Sequence, residues 1–185
     1  MLKEVGAFLL MKENNDLYIV QWMGDILLLQ NEVNNIDYIV DKAYENGMTI
    51  ALNPSPYNEK LEAVDMSKIS IFILNEVEGA QITGVTEPDV IIEKLLKSYP
   101  SAKIVLTLGS DGSIYADKDR TVKQPIFKVE AVDTTAAGDT FTGYFLTGLM
   151  ENMEVKDILE MSAKASSIAV TRKGAISSIP YRNEI

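Results

Sequence analysis

Apolar residues along this chain follow two rhythms: short consecutive runs, and longer segments in which they recur every third or fourth position. The first rhythm fits strands buried on both faces, the second helices with one buried stripe. Leu17–Trp22 (LYIVQW) and Ile26–Leu29 read as strands, and Asn35–Asn46 places Ile36, Ile39, Val40 and Ala43 at helical spacing before a Gly47 stop. Thr49–Leu52 is a strand ended by NPSP, where proline forces extended backbone. Ser70–Leu74 is another strand, followed by a short helix over Glu76–Thr83 closed by Gly84. A helix over Pro88–Ser98 follows, with Thr86 as its expected cap and Pro88 in its first turn. Lys103–Leu108 (KIVLTL) is a buried-type strand ending at Gly109, and Ser113–Ala116 and Thr121–Glu130 form a hairpin around Asp117, Lys118 and Asp119. Helices over about Ala137–Met150 and Val155–Val170 complete the chain.

Strands of this kind separated by amphipathic helices predict an α/β fold with a mostly parallel sheet covered on both faces. Such sheets bind ligands outside the carboxyl ends of their strands. Asn53, Asn75, Gly109 and Asp133 each fall just after a predicted strand.

Composition narrows the chemistry. The 185 residues suit one α/β domain, with no linker or repeat to divide it. A net charge of -10 argues against nucleic acid as a partner, which would need clustered Lys and Arg. With neither cysteine nor histidine, thiolate and imidazole chemistry is excluded, leaving carboxylates, lysines, hydroxyls and backbone groups. Cysteine-free composition is compatible with a reducing cytoplasm. The amino-terminal MLKEVGAFLLMKENND has only a short apolar stretch between charges and reads as neither leader nor membrane span.

The chemistry concentrates in VDTTAAGDTFTGYFL, Val132 to Leu146, where Asp133 and Asp139 flank a run of small residues leading into a helix. The first N–H groups of that helix lack intrahelical partners and, with the helix dipole, favour a phosphate or a developing oxyanion. Asp139 would be repelled by a bound phosphate, which makes sense for a base directed at an attacking hydroxyl. Asp133 as a helix cap and Asp139 as a first-turn acid explain the same pair equally well.

DTTAAGDTF closely resembles the carboxyl-terminal signature of the ribokinase-like (phosphofructokinase-B type) carbohydrate kinases. ALNPSP at Ala51–Pro56, NEVEGAQITG at Asn75–Gly84, TLGSDG at Thr107–Gly112 and AVTRKGAISSIP at Ala169–Pro180 resemble further segments of that family in the same order. The resemblance runs from about Asp25 to the end. It implies a three-layer α/β/α fold, without the family's amino-terminal glycine-rich sugar motif and β-sheet lid. The implied reaction moves the γ-phosphate of ATP to a hydroxyl of ribose or a related sugar.

Carried over by position, the resemblance makes Asp139 the base and Ala136, Ala137 and Gly138 the anion-hole amides. Thr107, Gly109, Ser110 and Gly112 would line the nucleotide site, although a tight turn explains the glycines too. Asn75 and Glu78 match an Asn-x-x-Glu element associated with Mg2+-bound phosphates; a plain helix cap is the alternative. Asp133, Thr135, Ala169, Arg172, Gly174 and Ser178 correspond to a K+ site, several through carbonyls; a basic helix exit, with Arg172 and Lys173 meeting the carboxyl-terminal dipole, is the alternative. Glu32 aligns with a substrate-contacting acid. Asp111 in the nucleotide turn is acidic, and Ala163 departs from the pattern, standing where an asparagine usually lies near adenine. The family further implies a cytoplasmic homo-oligomer, a dimer. A truncated, non-catalytic nucleotide-binding module is the competing reading.

Overall fold

The computed structural model describes residues 11–13, 16–18, 26–31 and 34–185. Strands β1 (Met11–Glu13) and β2 (Asp16–Tyr18) pair antiparallel as a small ladder of their own. The predicted strand over Leu17–Trp22 overlaps β2 at Leu17 and Tyr18, and its remaining residues lie outside the described set.

The main sheet has six strands: β3 (Ile26–Gln30), β4 (Thr49–Asn53), β5 (Ile71–Asn75), β6 (Lys103–Thr107), β7 (Ser113–Ala116) and β8 (Thr121–Gln124). They lie side by side in chain order, parallel from β3 to β6 and antiparallel from β6 to β8. Residues alternate between two cores, as pleating requires. Ile50, Leu52, Phe72, Leu74, Ile104 and Leu106 face one side, where α1 (Ile36–Glu45) and α3 (Pro88–Ser98) supply Ile39, Val40, Ile91 and Leu95. Ala51, Ile71, Ile73, Val105 and Tyr115 face the other, under Phe141 and Phe145 of α4 (Ala137–Met150) and Ile158 and Leu159 of α5 (Val155–Val170). The result is the predicted α/β/α layering, with the short α2 (Glu76–Thr83) following β5.

Two predicted boundaries are corrected. The hairpin strand expected over Thr121–Glu130 ends at Gln124, because Pro125 has no N–H to continue the ladder. Thr86 does not cap α3; the cap position is Glu87, in extended backbone, with Pro88 as the first helical residue and no side-chain cap bond. Among the described residues no helix is long and apolar enough to cross a membrane.

Candidate active site

Four parallel strands end in Gln30, Asn53, Asn75 and Thr107, so their polar side chains share one edge of the sheet. The amino terminus of α4 reaches the same edge, since the Gln30 side-chain N–H donates to Asp139 Oδ1 at 3.2 Å. α4 starts without a side-chain cap: its cap residue is Ala136, and small residues keep the approach open. The Ala137 N–H is spent on the Thr134 carbonyl at 3.1 Å, whereas those of Gly138 and Asp139 have no acceptor among the described residues. Open amides and the helix dipole therefore meet the strand ends.

Beside this terminus lies a cavity of about 450 Å³. Thr107, Gly109, Ser110 and Gly112 line it together with Thr134, Ala137 and Gly138. Its remaining wall is mainly apolar, from Ile126, Phe127, Val129 and Ala131 after β8 and from Ala163 and Val170 on α5. An apolar cleft with a few convergent polar groups is the usual form of a small-molecule site. Two serines on α5 that border it are already engaged: Ser166 donates to the Ala137 carbonyl at 2.9 Å and Ser167 to that of Lys164 at 2.7 Å. Asp111 is exposed and absent from the lining; it borders a second hollow, near the Lys123–Asp89 ion pair at 2.8 Å.

Asn75 and Glu78 form a reciprocal cap on α2. Asn75 Oδ1 accepts from the N–H groups of Val77 and Glu78, while the Glu78 carboxylate accepts from the Asn75 backbone N–H at 3.0 Å and side-chain amide at 3.1 Å. Glu78 is buried, and its partners are neutral, so its charge is hydrogen-bonded without being cancelled. Asn75 lies opposite Thr107 in the sheet, next to the turn at Gly109–Asp111. An oxygen-rich pair in this position fits a Mg2+ ion that keeps most of its waters.

Asp133 ties two segments together. Its Oδ1 accepts from the Thr135 hydroxyl at 2.6 Å and N–H at 3.0 Å, and its Oδ2 from the Gly174 N–H at 3.1 Å. These bonds, the Thr135 hydroxyl first, hold its carboxyl down to about 2. Asp133, Thr135 and Gly174 are thus in contact. The Arg172 guanidinium turns instead to Glu184 at 2.6 Å, the Ala169 carbonyl accepts the Arg172 N–H, and the Ser178 hydroxyl donates to the Ala175 carbonyl. An ionised carboxylate beside a carbonyl-bearing turn suits a monovalent cation, with Arg172 able to contribute only backbone oxygen. Because folding depresses the Asp133 carboxyl, its stabilising contribution is complete above the unfolded value near pH 4 and lost as pH falls towards about 2. Asp133→Asn should therefore flatten the wild-type decline in urea midpoint across that window; parallel declines in the two proteins would refute the linkage.

Residues 12–182 match the model of the pfkB family carbohydrate kinases. The chain belongs to that family. Within it, the chain is 32% identical over 165 residues to ribokinase of Lactococcus lactis subsp. lactis, a match covering 88% of this chain and 53% of that protein. Ribokinase of Haemophilus influenzae is 35% identical over 167 residues, covering 87% and 54%. The fold is similar to part of the crystal structure of ribokinase from Thermotoga maritima, with a TM-score of 0.74 at 31% identity over 86% of this chain and 55% of that one. Arabidopsis thaliana ribokinase complexed with ribose and ATP gives 0.75 at 30% identity over 85% and 53%. This pfkB-family chain spans about half the length of the curated relatives it matches.

Two parts of the site were missed by sequence reasoning. Most of the cavity wall after β8, Ile126, Phe127 and Val129, was assigned to a strand, although Pro125 marked the break. Gln30 closes the ILLLQ strand, but nothing local signals a partner 109 residues away. Glu32 lies outside the described residues.

Proposed function

We propose that this chain is the carboxyl-terminal, nucleotide-binding portion, folded as one domain, of an ATP-dependent kinase acting on ribose or a related sugar. The observation that carries this reading is Asp139: a carboxylate at the open terminus of α4, beside the cavity, that is not spent on capping its own helix.

In this reading the nucleoside occupies the apolar end of the cavity, against Phe127, Val129 and Ala163, and the phosphates lie along the Thr107–Gly112 turn. The γ-phosphate meets the amides of Ala136 and Gly138, with Ala137 contributing once its bond to Thr134 is exchanged. The sugar hydroxyl gives its proton to the Asp139 carboxylate as its oxygen bonds phosphorus; the bond from phosphorus to the β-bridging oxygen breaks, and ADP leaves. Transfer of this kind depends on positioning and on charge stabilisation. Asn75 and Glu78 would hold Mg2+ through water, which neutralises phosphate charge when bound. Asp133, Thr135, Ala169, Arg172, Gly174 and Ser178 would hold K+, keeping the loop before α4 against the turn after α5. Glu32 would contact the sugar. A cytoplasmic homodimer belongs to the same reading: among the described residues β3 pairs only with β4, and its Leu28 is 40% exposed, a strip available to a second copy.

A non-catalytic nucleotide-binding module is the second reading, favoured by the cavity's lining, which includes the Thr107–Gly112 turn but not Asp139. Both readings require the cavity to bind Mg-ATP. At tenfold its Kd the nucleotide should stabilise the chain by about 1.4 kcal/mol, raising Tm by about 4 °C. A coupled ribose-phosphorylation assay then separates them: turnover supports the kinase and a thermal shift alone the module. No shift and no heat in calorimetry sinks both.

A further inference from the structure

Asp139 occupies the third position of α4, where an acidic side chain normally folds back to satisfy the N–H of its own cap residue. It does not do so here. Its Oδ1 accepts instead from Gln30, the last residue of β3, across the carboxyl edge of the sheet, and among the described residues its Oδ2 has no partner. The two residues stand 109 positions apart, so the contact forms only when α4 has docked on the sheet.

We infer that Gln30 is a positioning residue for the base, resting on the kinase reading above: its side-chain amide occupies Oδ1 and turns Oδ2 towards the acceptor hydroxyl. The choice of group matters. A lysine or arginine in this place would neutralise the carboxylate, which a base must avoid, and would compete for phosphate. A primary amide donates a hydrogen bond without carrying charge, and it does not titrate. It fixes the carboxylate's direction and leaves its charge intact. Gln30 also sits on a strand rather than a loop. Its backbone is held in register opposite Asn53, so the donor is fixed relative to the neighbouring strand ends.

Gln30→Met keeps length and shape but removes the donor. In the chain as it stands, the Gln30 side-chain amide resonance, identified by its disappearance in Gln30→Met, should be displaced in Asp139→Ala, which removes its acceptor. Gln30→Met should lower kcat for ribose phosphorylation about 10-fold, with KM for ATP unchanged. In an Asp139→Asn background the same replacement should have no further effect, because no charged carboxylate remains to orient. A purely structural Gln30 would lower kcat in both backgrounds. A motionless amide resonance, an unchanged kcat, or equal losses in both backgrounds would each overturn the inference. Wild-type chain that binds Mg-ATP but never phosphorylates sugar would overturn the kinase reading and the catalytic purpose of the contact with it, whereas a displaced amide resonance in Asp139→Ala would still establish the hydrogen bond itself.

Discussion

Asp139→Asn is expected to lower kcat for sugar phosphorylation by about 10²- to 10⁴-fold, the usual worth of a positioned base, and to leave the Kd for Mg-ATP within about twofold. Asparagine has nearly the same shape and retains an oxygen able to accept from Gln30, so the terminus of α4 keeps its geometry. What is lost is the capacity to take a proton. A ground-state binding group would behave differently, because its removal would raise KM at constant kcat. Removing a negative charge from a phosphate-facing helix terminus should, if anything, tighten nucleotide binding slightly. Steady-state kinetics with varied ATP and varied ribose, alongside calorimetry of Mg-ATP binding, separates these cases. Unchanged turnover would remove Asp139 from the mechanism, and a parallel loss of affinity would assign it to binding.

Gly112→Ala should be the most damaging small substitution at the site. Gly112 has a φ of 98°, in the region that favours glycine. A Cβ there would stand 2.1 Å from the Gln124 carbonyl oxygen and 3.0 Å from Pro125 Cα. Both neighbours are backbone, so relief requires β8 to move away from β7 or the turn after β6 to reshape. We expect a loss of about 4 kcal/mol, in the exceptional range for a single replacement, and a fall in Tm of roughly 10 °C. The same distortion would displace residues 126–131 and so the apolar wall of the cavity. Mg-ATP affinity should fall at temperatures where the variant is still folded. Gly109→Ala is the internal control: its φ is also positive, at 51°, but a Cβ there meets nothing within 4 Å. Equal damage from the two would show that backbone conformation, rather than the collision with Gln124, sets the cost.

Much of this architecture was legible because it rests on periodicity. In β4, β5 and β6 the apolar run is continuous, since α1 and α3 cover one face and α4 and α5 the other. The glycine-rich turn after β6 and the small-residue entry to α4 were visible for a similarly local reason: each needs particular residue types at fixed spacing. Asn75 and Glu78 were visible as an Asn-x-x-Glu pair, but only geometry reveals that each satisfies the other. Long-range pairings left no local trace. Gln30 looks like an ordinary strand end, and Asp133 resembles a helix cap until its second oxygen is found on Gly174. The strand boundary at Gln124 was misjudged because apolar residues continue beyond Pro125; they are apolar to line a cavity rather than to join a ladder.

The sheet's order has a kinetic consequence. Because each strand from β3 to β8 lies next to its predecessor in the chain, a ribosome delivers every strand to a partner that has already been made. Edge growth of this sort closes only modest loops, so the sheet can be assembled stepwise while synthesis continues. The helices α4 and α5 arrive last, and until they do, Ile71, Ile73, Val105 and Tyr115 present a bare apolar face. A nascent chain paused before residue 137 would therefore hold a nearly finished sheet without the Asp139 carboxylate and with a sticky surface, the form most exposed to chaperone capture.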